Sequence, residues 1–274
     1  MKINKRYPNF MVLLTGLLFL GGLISCVEID NYEAPAETIQ GTIYSAVTGE
    51  PLQVTENEIR IELLELSWTE TTPTPNPYFY ANDGGTYKNS RIFKGFYNVN
   101  VNGPFVPLNH KLWPAPNTDT INLSANITIK GVVTQDFTVE PILDIQWVTE
   151  PVYNASDKSI SATIIVNRGT TNPLYNAGAI KNINFYACEV AYPGDNNYDN
   201  RYSKIKNSFP GNETIVIDGV TKPNAFVFGQ PYIVKTIGQL TPRKWWLRVG
   251  ANTNRSLPTG TPYNYSTIKS VTVN

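Results

Sequence analysis

The imidazole and thiol inventory of this 274-residue chain is His110, Cys26 and Cys188, and that short supply limits its chemistry. A serine or cysteine triad would have to use His110, which lies in PFVPLNHKLWPAP among prolines with no nucleophile elbow beside it. That context predicts a loop histidine. A zinc site built from several histidines is excluded, and no metal or cofactor is expected. Cys188, in the strand-like run NINFYACEVA, reads as a core residue, because cysteine is among the most buried residue types. Glycosidase chemistry needs two carboxylates about 5 to 10 Å apart across a cleft, and no acidic pair here sits in a recognisable motif. The chain is expected to be non-catalytic.

The aromatic side chains carry more information. Several of the 16 Tyr, 11 Phe and 5 Trp fall in polar or proline-rich stretches where no core requires them. In SWTETTPTPNPYFY, Trp68, Tyr78 and Tyr80 bracket a segment that prolines should hold extended. Trp113 stands against prolines in HKLWPAP, and Tyr192, Tyr198 and Tyr202 are set among Asn and Asp in AYPGDNNYDNRY. Sugar rings offer flat C–H faces to aromatic rings and hydroxyls to Asn, Asp and Arg. These seven residues are therefore candidate glycan contacts, against the alternative that each packs over the end of a domain. The GDNNYDN tract, with Asp195 and Asp199, is rich in oxygen but lacks the spacing and closing glutamate of an EF-hand loop; it reads as a solvated turn.

At the N-terminus, Lys2, Lys5 and Arg6 precede a mostly apolar run that stops at LISC and turns acidic in VEIDNYE. A basic start, a short apolar centre and small residues before a cut define a secretory signal peptide, and glycines interrupt the run too often for a spanning helix. Leu23-Ile24-Ser25-Cys26 resembles the bacterial lipobox, which implies cleavage before Cys26 and acylation of its thiol. Several acyl chains on one residue suffice for stable attachment. Residues 1–25 are then the signal and 26–38 a flexible acidic leader. Its carboxylates resemble the export signal of Bacteroidetes surface lipoproteins, which implies an outer-membrane anchor facing the cell exterior.

Removing Lys2, Lys5 and Arg6 with the signal leaves 19 basic against 22 acidic residues, a formal charge of −3. No basic footprint for nucleic acid remains. With Cys26 committed to lipid, no intramolecular disulfide is possible, and stability must come from packing.

Short runs rich in Val, Ile, Thr, Tyr and Phe recur about every ten residues between Gly, Pro, Asn and Asp clusters, and no long stretch keeps a helical period. The fold class is all-β. Residues 59–63 (IRIEL), 97–101 (YNVNV) and 160–164 (ISATI) alternate apolar with polar, putting one face on a core and one in water. Two antiparallel β-sandwiches in tandem follow, 39–140 and 141–274, divided where Pro141 cannot donate to a ladder. With no Gly/Ser linker, the two should abut with limited rotation.

The segments GTIY (41–44), TGEPL (48–52), DGGTY (83–87) and GFYNV (95–99) together resemble the carboxypeptidase-regulatory-like, transthyretin-like sandwich. Such domains usually act as scaffolds. In the second half, IGQLTP (237–242) followed by WWLRVGA (245–251) resembles the late strands of fibronectin III and immunoglobulin-like modules, with Trp245 where the corner tyrosine is expected. The whole arrangement resembles a Bacteroidetes family of candidate surface lipoproteins of unknown function. That family is associated with polysaccharide-utilisation systems having SusC/SusD-type importers. The resemblance implies a non-catalytic accessory protein that captures a polysaccharide or oligosaccharide beside such an importer. The alternative is a structural or adhesive surface protein, such as a fimbrial accessory subunit or spacer.

Overall fold

The computed structural model describes residues 34–69, 74–111, 120–208, 214–217, 220–223 and 226–274. It is all-β, two sandwiches deep in sequence, with a 3-10 turn at Asp83–Gly85 and an α-helical turn at Pro173–Asn176 among the described residues. The first sandwich runs β1 (Glu37–Ser45), β2 (Arg60–Glu65), β3 (Tyr78–Tyr80), β4 (Thr86–Ile92), β5 (Gly95–Asn102), β6 (Asn109–Lys111), β7 (Thr120–Asn122), β8 (Ala125–Ile129), β9 (Val132–Thr134) and β10 (Phe137–Val139). The second runs β11 (Leu143–Trp147), β12 (Val152–Asn154), β13 (Ser159–Arg168), the turn α1 (Pro173–Asn176), β14 (Ile180–Cys188), β15 (Lys204–Ser208), β16 (Thr214–Ile217), β17 (Val220–Pro223), β18 (Pro231–Lys235), β19 (Arg243–Thr253), β20 (Asn264–Tyr265) and β21 (Lys269–Val273).

Alternation builds the first core. Ile43, Ile61 and Val99 are fully buried while their sequence neighbours turn outward, and Ile39, Ile59 and Val101 are fully buried beside them. One sheet has the order β3-β2-β5-β8; the other joins β4, β1 and the pair β9/β10. Residues 132–139 form two short strands, β9 and β10, both parallel to β1, so this sheet is mixed. The break is explained at Gly41, where a Cβ would collide with the carbonyl oxygen of Gln135. Tyr87 donates its hydroxyl to that same carbonyl, and Asp136 Oδ1 accepts from Thr42 N at 2.7 Å. The glycine of GTIY is thus a contact requirement.

The second core gathers Val106 and residues from Ile142 to Val273 between the β11/β12/β13/β18 sheet and the β15/β14/β19/β20/β21 sheet. Trp245 is fully buried and its indole Nε1 donates to Thr241 O at 3.0 Å. The indole therefore closes the corner that a tyrosine hydroxyl closes in immunoglobulin-like modules.

Residues 35–274 form one compact unit containing both cores. The chain crosses between them through a hydrogen-bonded strap: Val106 N donates to Glu140 O at 2.9 Å and Ile142 N to Pro104 O at 3.0 Å. Around it lies a buried polar seam. Arg248, 1% exposed, donates to Ser266 O at 3.1 Å, to Val54 O at 3.2 Å and to Gln53 Oε1 at 3.3 Å. From the other side, Glu58 accepts from Tyr263 N at 3.2 Å, Tyr265 Oη at 3.1 Å and Thr55 N at 3.3 Å. Asn264 ties Leu143 N to Pro104 O. Every one of these donors finds an acceptor, as buried polar groups require.

Candidate functional site: a tyrosine-edged sheet face

Because Ile59, Ile61 and Leu63 fill the core, Arg60, Glu62 and Leu64 emerge on the outer face of β2. The same parity on β5 turns Asn98 and Asn100 outward with Phe96, and on β3 it turns out Tyr78 and Tyr80. Register then sets them in rows. Tyr80, Arg60 and Asn102 form one row; Tyr78, Glu62 and Asn100 form the next; Leu64, Asn98 and Asn126 form a third. Neighbouring strands lie about 4.8 Å apart and same-face residues about 6.8 Å apart along a strand, so the rows make one continuous patch.

Hydrogen bonds fix this grid. Glu62 Oε1 holds Arg60 Nη2 at 2.5 Å, while its Oε2 accepts from Asn102 Nδ2 at 2.9 Å and Asn100 Nδ2 at 3.2 Å. Asn98 Nδ2 donates at 2.7 Å to both Ser124 Oγ and Asn126 Oδ1. Two atoms are left over: Arg60 Nε, a donor, and Asn100 Oδ1, an acceptor, are covered yet have no hydrogen-bond partner among the described residues. At the edge, the Tyr78 and Tyr80 rings meet at 83° with centroids 5.8 Å apart. The Arg60 guanidinium lies 5.5 Å from the Tyr78 centroid, a cation–π contact on one face of that ring. Tyr78 is 58% and Tyr80 40% exposed. Aromatic rings standing free beside ordered amides and an Arg–Glu pair can bind a polyhydroxylated ligand without covalent chemistry.

The other predicted contacts are dispersed. Trp68 follows β2, half-buried, with its Nε1 lacking a hydrogen-bond partner among the described residues. Tyr192 is 60% exposed on the loop after β14. Tyr198 is half-buried against Tyr186, centroids 5.6 Å apart. Tyr202 is corrected: it is a core residue, packed edge-on against Trp245 at 4.9 Å. Its polar neighbours misled, because Asp199 binds Arg201 and turns the chain so that the next ring goes inward. Cys26 and Trp113 lie outside the described residues.

The oxygen-rich 194–200 loop spends its polar groups on docking. Asn196 Nδ2 donates to Glu56 O of the first sandwich at 3.0 Å, Tyr186 Oη donates to Asp195 Oδ1 at 3.2 Å, and a Cβ at Gly194 would collide with Thr55. Arg201 beside Asp199 holds that carboxyl below its ordinary value. Among the described residues no three of His, Cys, Asp and Glu come together as a metal site. His110 Nδ1 donates to Pro107 O at 2.7 Å, and Asn172 Nδ2 meets Nε2 at 3.3 Å. Since Asn172 Oδ1 already caps α1 at Leu174 N, its Nδ2 faces the imidazole. Cys188 is buried and free.

Sequence reasoning missed Arg60, Glu62, Asn100 and Asn102 as site residues. For Arg60, Glu62 and Asn100 the signal was the alternation of IRIEL and YNVNV, which shows that they face water but not that they face each other; Asn102 lies beyond YNVNV and is 6% exposed.

Residues 37–140 match the model for the N-terminal domain of a protein family of unknown function, DUF3823. No curated protein matches the chain significantly. Among solved structures, a DUF3823 family protein from Bacteroides uniformis is similar at 26% identity and TM-score 0.71, over 88% of this chain and all of that one. A candidate carbohydrate-binding protein from the same species (19%, TM-score 0.58, 87% of this chain and 100% of that one) shares the fold. So does a DUF3823 family protein from Bacteroides ovatus (18%, TM-score 0.58, 87% and 100%). The N-terminal sandwich is thus similar to the DUF3823 N-terminal domain, and the fold over most of the chain is shared with these Bacteroides proteins.

Proposed function

We propose that the chain is a non-catalytic outer-membrane lipoprotein that binds a glycan on the outer face of β3, β2 and β5 and holds it beside a SusC/SusD-type importer. The observation that carries the reading is the pair of exposed tyrosines standing beside an ordered Arg–Glu–Asn grid. The structural relative described as a candidate carbohydrate-binding protein points the same way, with fold alone in common. Anchoring at Cys26 rests on the signal anatomy of residues 1–25.

Two measurements test it. The full chain in mild detergent, run in native gels cast with a panel of soluble polysaccharides, is retarded by at least one of them. No retardation across the panel refutes the glycan reading and favours the structural or adhesive alternative. Separately, Cys26→Ala abolishes palmitate labelling and releases the chain from the detergent phase; a variant that still labels and partitions with the outer membrane contradicts the anchor.

A further inference from the structure

Tyr78 and Tyr80 do not form a flat platform. Their planes stand at 83° with centroids 5.8 Å apart, so together they make the two walls of a corner. The Arg60 guanidinium lies 5.5 Å from the Tyr78 centroid, and Tyr78 is still 58% exposed. A sugar stacking on the exposed part of Tyr78 gains C–H contact with one ring only, and a ring at 83° to Tyr78 stands across the continuation of the same plane. In a crystalline polysaccharide, successive sugars lie side by side in extended flat layers. Such a layer would have to leave one tyrosine to reach the other. A single chain in solution can turn, or can present its end.

Behind the corner, the polar column of Glu62, Asn100 and Asn102 leads to Asn98 and Asn126, about 5 Å further across the sheet for each strand. Asn98, Asn100 and Asn126 can hydrogen-bond the hydroxyls of sugars following the stacked one, whereas Asn102, 6% exposed, holds Glu62 from beneath. Their grid is held from within by Glu62, which takes hydrogen bonds from three side chains. The recognition surface is thus one stacking position and a run of hydrogen-bonding positions.

We propose that the Tyr78–Tyr80 corner selects a soluble, non-crystalline glycan by gripping one sugar ring at a chain end or bend, a specificity that rests on the carbohydrate-binding function above. The test compares two physical forms of substrate. The full chain in mild detergent is assayed in native gels with soluble xyloglucan, arabinoxylan, galactomannan and amylopectin, and by sedimentation with microcrystalline cellulose and chitin. The expected result is retardation by at least one soluble chain and none of the protein in the crystalline pellets. Tyr78→Ala and Tyr80→Ala each weaken retardation about five- to a hundred-fold, by analogy with stacking on aromatics. Tyr78→Phe keeps the ring and retains most of the binding. Sedimentation with a crystalline polymer that Tyr78→Ala abolishes overturns the corner reading and leaves carbohydrate binding standing. Soluble binding unaffected by either alanine variant, with circular dichroism showing both folded, overturns the assignment of the corner. Binding to neither form overturns both this inference and the proposed function.

Discussion

Two of the places where Arg, Glu and Tyr side chains come together lie in opposite settings. On the outer sheet, Arg60 pairs with Glu62 and lies 5.5 Å from the ring of Tyr78; in the seam, Arg248 lies 4.6 Å from the ring of Tyr265, whose hydroxyl donates to Glu58. The side chains of Arg60 and Glu62 are 29% and 20% exposed, and Tyr78 is mostly in water. Arg248 is 1% and Tyr265 5% exposed. In the seam, Arg248 spends its donors on Ser266 O, Val54 O and Gln53 Oε1, and three donors converge on Glu58. On the sheet, a donor of Arg60 and an acceptor of Asn100 have no partner among the described residues. Residue type does not separate a latch from a binding surface. Burial and completeness of pairing do.

Breaking the latch should have the largest effect. Arg248→Met leaves Val54 O and Ser266 O without their donor inside the seam and removes the positive charge that favours Glu58 as a carboxylate. A loss of about 3–5 kcal/mol in urea unfolding is expected. Because the seam joins both cores, the intact chain should unfold in one transition by fluorescence and by circular dichroism; two separated transitions would show that the sandwiches are energetically independent. Arg60→Ala, by contrast, removes a partly exposed pair and should cost about 1 kcal/mol or less.

Acidity sharpens the same contrast at a smaller scale. Burial pushes the Glu58 carboxyl from 4.5 up to about 7, against the opposing pull of its hydrogen bonds and Arg248. A raised carboxyl binds its proton more tightly in the folded chain than in the unfolded one. Its contribution is therefore fully present below about pH 4.5, is lost as the pH rises through about 7, and is level above that. Other charged and titratable groups face this carboxyl's surroundings, among them Arg248, Asp83, Tyr265, Tyr263 and Asp195. Glu58→Gln, which cannot ionise, should remove roughly 1–3 kcal/mol of pH dependence between pH 4.5 and 8. An unchanged stability profile in the Gln variant would assign that dependence to another group.

Much of this fold can be read from local pattern, and the site only in part. IRIEL and YNVNV state their buried and exposed faces residue by residue, and IGQLTP with Trp245 marks the corner that the indole closes. Tyr78 and Tyr80 could be chosen because prolines and polar residues surround them. Tyr202 was chosen on the same ground and is buried, because the Asp199–Arg201 turn redirects it. Arg248 sits in WWLRVGA like any strand residue, and nothing within that run says that its partners are Val54 and Gln53, nearly 200 positions earlier. What local sequence conceals here is register: which row Arg60 shares with Tyr80, and which strand end meets Glu58.

The most direct test of the binding surface is to measure binding and stability together on one variant, Tyr78→Ala, beside the unaltered chain. Isothermal titration with whichever soluble polysaccharide retards the chain most should show affinity about five- to a hundred-fold weaker, the loss of roughly 1–3 kcal/mol of stacking. The thermal melting curve should be unchanged, since Tyr78 is 58% exposed. Undiminished affinity, or a markedly lower melting temperature in the variant, would contradict the account and make Tyr78 a packing residue.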